Sequence, residues 1–149
     1  MKNRILALIF LVAALAGLWY ISQKNEPTAP SGSDITWVNA DENMITLELV
    51  RPGVNVLPKF TVTGSARGPW YFEASFSVEI LDKDGKRLDM EPALAIGDWM
   101  TEEFVPFRVE LDVGTYSGPA TIVLHKSNAS GEPERDASMS VPVEVFKAN

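Results

Sequence analysis

Residues 70–80 read WYFEASFSVEI, with every even position apolar (Trp70, Phe72, Ala74, Phe76, Val78, Ile80) and the odd positions mostly polar. Period-two alternation of this length, loaded with aromatic and β-branched residues, fits a strand with one face in a core and the other in water. A helix would scatter the same aromatics around its circumference. Burying the five large side chains of that face contributes roughly 1.5–3 kcal/mol each, so this segment is expected to anchor the core.

The same period recurs on both sides of it. Ile45, Leu47 and Leu49 share one face, and Arg51-Pro52-Gly53 turns the chain. Phe60, Val62, Gly64 and Ala66 alternate with Thr61, Thr63 and Ser65 up to Arg67-Gly68-Pro69. After residue 80, Asp84-Gly85 signals a tight hairpin. A weaker return strand over 87–96 carries Leu88 and Met90 in phase, and its Pro92 predicts a sheet edge. Val105, Phe107, Val109, Leu111 and Val113 follow, then Ala120, Ile122 and Leu124, then Met139, Val141, Val143 and Val145. Seven strands separated by turn signals, with no amphipathic helix between them, predict an all-β fold: a seven-stranded antiparallel immunoglobulin-like β-sandwich over residues 44–149. Cysteine is absent, so Trp70 and the neighbouring phenylalanines are expected to fill the space of the usual inter-sheet disulfide.

The N-terminus follows different rules. Lys2 and Arg4 precede ILALIFLVAALAGLWYI, residues 5–21, which holds no charge. As a helix it reaches ~25 Å, slightly short of a ~30 Å hydrocarbon core, with Trp19 and Tyr20 at the height of an interfacial belt. Residues 1–21 therefore read as an N-terminal hydrophobic helix, a signal anchor with its N-terminus inside. The alternative is a signal peptide cut at Ala14-Leu15-Ala16, giving a secreted or periplasmic product. The anchor is favoured because that cut leaves the apolar GLWYI on the mature end. Either reading exports the rest. Residues 22–43 form an extended linker, in which Ile35, Trp37 and Val38 either dock on the domain or form a short first strand. Residues 25–149 carry ten basic and twenty acidic side chains, a net of −10. That surface repels phosphate backbones and anionic headgroups, so nucleic acid is not an expected partner.

The spaced motifs Val62-Thr63-Gly64-Ser65-Ala66-Arg67-Gly68-Pro69-Trp70-Tyr71-Phe72-Glu73-Ala74, Asp84-Gly85-Lys86, Gly97-Asp98-Trp99-Met100-Thr101, Phe104-Val105-Pro106-Phe107 and Asn128-Ala129-Ser130-Gly131-Glu132 resemble, in order, the immunoglobulin-like domain of bacterial spore germination proteins. The likeness runs over residues 45–146. It implies a small extracytoplasmic β-sandwich that often accompanies other envelope domains, with no catalytic residues and no cofactor to carry over. The tether holds no neighbouring germination domain.

Site chemistry is sparse. His125, the lone histidine, has neither the partners of a zinc site nor a poised serine. Asp82, Asp84 and Asp89 lack EF-hand spacing and read as turn chemistry. Glu102 and Glu103, or Glu73 with another carboxylate, form no defined glycosidase pair. Asn128-Ala129-Ser130 matches a glycosylation acceptor by pattern only. Glu73 is expected on the outer face of the central strand, paired with Arg67 or Arg108. Residues 97–103 put an aromatic and a methionine on an acidic loop, where sandwich folds commonly bind, although Trp99 also suits capping of the core. The binding residues expected are Arg67, Glu73, Asp98, Trp99, Met100 and Glu102, with no metal and no cofactor. The function expected is a non-enzymatic, membrane-anchored module that recognises an envelope protein or cell-wall component. The alternative is a spacer or assembly subunit associating laterally through sheet edges.

Overall fold

A computed structural model of the chain describes residues 35–147. The anchor read at 1–21 and the linker up to residue 34 lie outside the described residues. Among the described residues no helix is long and apolar enough to cross a membrane.

Among the described residues nine strands form: β1 Thr36–Val38, β2 Ile45–Leu47, β3 Val54–Val56, β4 Lys59–Arg67, β5 Ser75–Asp82, β6 Arg87–Ala95, β7 Phe104–Asp112, β8 Gly118–His125 and β9 Ser138–Val145. Two 3-10 turns, Gly68–Trp70 and Pro133–Arg135, are the other regular elements among the described residues. Hydrogen bonds link the strands in the order β1-β9-β8-β5-β6-β7-β4-β2, with β3 also on β9. Neighbours are antiparallel except β3, which runs parallel to β9. The count of seven and the wholly antiparallel pairing are thus corrected. The two added strands are three residues long, too short to show a period, and both are held by the side of β9 that β8 leaves free. Trp37 forms the first strand on β9 and packs partly buried on the core.

The core follows the predicted phase closely. Val105, Phe107, Val109, Leu111 and Val113 are buried, as are Ala120, Ile122, Leu124 and the four inward residues of β9. Trp70, Tyr71 and Phe107 all meet Phe76 edge-on, at 6.3, 5.2 and 4.9 Å between ring centroids, a geometry that suits the aromatic quadrupole.

The central strand departs from its prediction. It begins at Ser75, not Trp70. Pro69 opens the 3-10 turn, and Trp70 and Tyr71, adjacent in sequence, are both buried. Glu73 and Ala74 then take left-handed backbone, at φ 51° and 61°, and Phe72 and Ser75 exchange backbone hydrogen bonds across them. Phe72 is consequently half exposed. Leu49 and Met90, expected inside, are also exposed. Leu49 lies beyond the end of β2, and Met90 lies where β6 separates from β7.

Candidate functional site

Strand register brings three loops to one end of the domain. Arg67 pairs with Phe104, Ser75 with Leu94, Ser77 with His125, and His125 with Ser138. The loops 68–74, 96–103 and 126–137 therefore lie on the same side, opposite the Asp84-Gly85 hairpin.

These loops are braced against each other. The Arg67 guanidinium donates to the carbonyls of Asn43 at 2.8 Å and Glu102 at 3.0 Å and lies 4.6 Å from the centre of the Phe104 ring, a cation–π contact. Gly68 N–H donates to the Glu103 carbonyl at 3.2 Å. A Cβ on Gly68 would overlap Thr101 O and lie 2.6 Å from Trp99 O, so glycine is what lets the two backbones meet. On the other side, Ser127 N–H donates to Trp70 O and its hydroxyl to Ser75 O, each at 2.9 Å. Tyr71 donates its hydroxyl to Val105 O at 2.7 Å, and desolvation pushes its phenol up to about 12, with the Ala66 backbone pulling weakly the other way.

The predicted residues divide on this frame. Asp98 accepts from Met100 N–H at 3.0 Å and shapes the loop. Trp99 packs partly buried against the core, while Met100 next to it is 76% exposed. Glu102 lends its carbonyl to Arg67 and leaves its carboxylate in solvent. Gly68, Pro69, Tyr71 and residues 99–102 line a shallow depression of about 340 Å³. Glu73 needs correction: it occupies the 72–75 turn instead of a strand face, and neither expected arginine pairs with it. Arg67 is committed to carbonyls, and Arg108 sits 3.2 Å from Glu110. Phe72 and Ile96, at 50% and 58% exposure, join Met100 as apolar residues at this end. Sequence reasoning missed both, because Phe72 matched the alternation that seemed to bury it. The run Trp70-Tyr71-Phe72, three large apolar residues following Gly68-Pro69, was the available sign of a break.

The remaining candidates have local roles. Asp82 accepts from Asp84 N–H and Lys86 N–H, both at 2.9 Å, and these bonds, led by Lys86, hold its carboxyl below the usual range. Asp84 pairs with Lys83 at 2.7 Å. Asn128 donates to Glu132 O and Asp136 Oδ1 within its own loop. His125 Nε2 lies 2.8 Å from Glu79 Oε1, whose other oxygen is 2.7 Å from Arg87 Nε. Among the described residues no three acidic or histidine side chains are grouped to hold a metal ion.

A family model described as the immunoglobulin-like domain of bacterial spore germination matches residues 51–132, from the turn before β3 to the loop after β8. No curated protein matches the chain.

Proposed function

The chain belongs to the family of immunoglobulin-like domains of bacterial spore germination, and we propose on that premise that it is a non-enzymatic binding module of the cell envelope. Family membership supports a binding or structural role. In this reading the strands form a two-sheet sandwich, β1, β3, β9, β8, β5 and β6 against β7, β4 and β2. The two-residue join of β6 to β7 supports that division, because it is the shortest run of paired residues along the strand order. Residues 5–21 hold the chain in the plasma membrane with the domain outside, and the loop end faces an envelope protein or cell-wall component.

The observation that carries the proposal is the braced loop end. Exposed Met100, Phe72 and Ile96 are fixed there on a frame of backbone hydrogen bonds, so little ordering remains to be done on binding. Methionine and aromatic side chains are also effective interface anchors. The same loops are rich in carboxylates: they carry Glu73, Asp98, Glu102, Glu103, Glu132, Glu134 and Asp136 against Lys126 and Arg135, with Arg67 at their edge. Arg67 is occupied by carbonyls, and Arg135 is paired with Glu132. A partner with a basic rim around an apolar recess complements this surface.

The test compares envelope material retained by the full chain, by Met100→Asp and Phe72→Asp, and by Lys83→Glu on the opposite hairpin. The reading expects a defined partner to be lost with the first two and kept with the third. Retention by all three would refute the loop end as the binding surface.

A further inference from the structure

Between β2 and β3 the chain changes strands. Glu48 N–H still donates to Thr63 O of β4 at 3.1 Å, whereas Gly53 N–H donates to Pro142 O of β9 at 2.9 Å. β3 then stays on β9, and the chain returns through Pro58 into β4. The crossing segment and these strands enclose a recess of about 320 Å³, lined by residues 49–50, 54–57 and 59–61. Its base is apolar: Val50 and Val56 are buried, and Val54 and Phe60 pack partly buried on the core. Leu49 and Leu57 stand more open, at 72% and 46% exposure.

The recess also differs in charge from the domain around it. Residues 49–61 carry Arg51 and Lys59 and no carboxylate, although acids outnumber bases two to one beyond residue 24. Neither cation is ion-paired among the described residues. The loop end has the opposite make-up. Met100, the most exposed large apolar side chain of the described residues, lies between Asp98 and Glu102, both exposed. Register places the two surfaces at opposite ends of the strands: Lys59 pairs with Asp112 and Val56 with Val145, whereas Arg67 pairs with Phe104 and His125 with Ser138 beside the loops.

We propose that the loop end of one copy docks into this recess of a second copy, with Met100 seated against Leu49, Leu57 and Phe60, and with Arg51 and Lys59 facing Asp98 and Glu102. The proposal rests on the loop end being a binding surface and names what it binds. Apolar burial supplies the attraction, and opposite charges select the pairing and its orientation. Two loop ends repel each other, so like does not meet like. Because the two contact surfaces differ and lie at opposite ends, the contact is heterologous, and its repetition adds copies head to tail. No strand pairing is involved, which separates this growth from association through sheet edges.

The experiment sediments the full chain in density-matched detergent over a concentration series. The unaltered chain is expected to pass from single copies to multimers. Met100→Asp and Leu57→Asp, both at exposed positions, are each expected to weaken that association at least tenfold. Mixed in equal amounts, the two variants are expected to form dimers and stop there, because one intact loop end meets one intact recess. Lys59→Glu leaves the recess apolar and is expected to weaken association as Leu57→Asp does, so it decides if that variant misfolds. An unaltered chain that stays single at millimolar concentration would overturn the second copy as the occupant, while the loop end would still stand or fall by its retention of envelope material. Association undiminished in the folded variants, or a mixture that forms no dimers, would overturn the proposal as well.

Discussion

At Glu73 and Ala74 two residues with side chains hold a conformation that costs an L-amino acid roughly 1–2 kcal/mol, at φ 51° and 61°. A two-residue turn with both φ positive prefers Asn-Gly, so Glu73→Asn with Ala74→Gly is expected to raise unfolding stability by about 1–2 kcal/mol, read by urea denaturation. No gain would mean that the turn is not strained. Gly68→Ala has the opposite sign. Its new methyl meets the backbone carbonyls of Thr101 and Trp99, which cannot swing aside as a side-chain end would, and the expected cost is about 1–3 kcal/mol with amide shifts concentrated in residues 97–103. Tyr71 gives a pH signature. Its folded phenol titrates at about 12 against an ordinary 10.0, so between those values the unfolded chain has released a proton that the folded one keeps. Stability from this group is complete below pH 10 and declines as pH rises toward 12. Tyr71→Phe is expected to remove that alkaline component, and to cost about 1 kcal/mol at neutral pH for the lost hydrogen bond. An identical alkaline decline in the variant would contradict the assignment.

Between elements, Glu79 joins three strands: its carboxylate on β5 holds Arg87 of β6 and His125 of β8. Desolvation pushes that carboxyl up, but hydrogen bonds and charge from Arg87 and His125 outweigh it, and the net direction is below the ordinary 4.5. A lowered carboxylate stabilises the fold above its unfolded pKa, and the contribution is lost as pH falls through the folded one. Glu79→Gln is therefore expected to flatten the loss of stability below pH 4.5, measured by acid titration of circular dichroism. An unchanged acid limb would show that the pairs contribute nothing. At the two ends of the strand order β1 and β2 are three residues each, and edges that short resist extension. The legibility of the elements follows from the same geometry. β4, β7, β8 and β9 lay one face on the core, so their alternation was readable directly. β1 and β3 had too few residues for a period, and the parallel seat of β3 depends on the distant β9. The 72–75 turn lacks the glycine that announces such turns. Pro92, read as an edge residue, does face an opening, but one inside the strand order, where β6 leaves β7.

Over the whole molecule, the proposed binding module is an acidic domain that follows the uncharged stretch of residues 5–21. The loop end was half legible: an acidic loop with Trp99 and Met100 suggested contact residues, but only the register brings residues 68–74 and 126–137 beside it. Bracing by Arg67, Gly68 and Ser127 could not be read, because it joins backbone carbonyls that carry no residue code. The most direct test places a photo-crosslinking residue at Met100 in the full chain in living cells, with a second at Asp84 on the opposite hairpin. The account predicts a discrete adduct with an envelope protein or cell-wall component from position 100, none from position 84, and its loss on Phe72→Asp. Equal labelling from both positions, or no adduct at position 100, would contradict it.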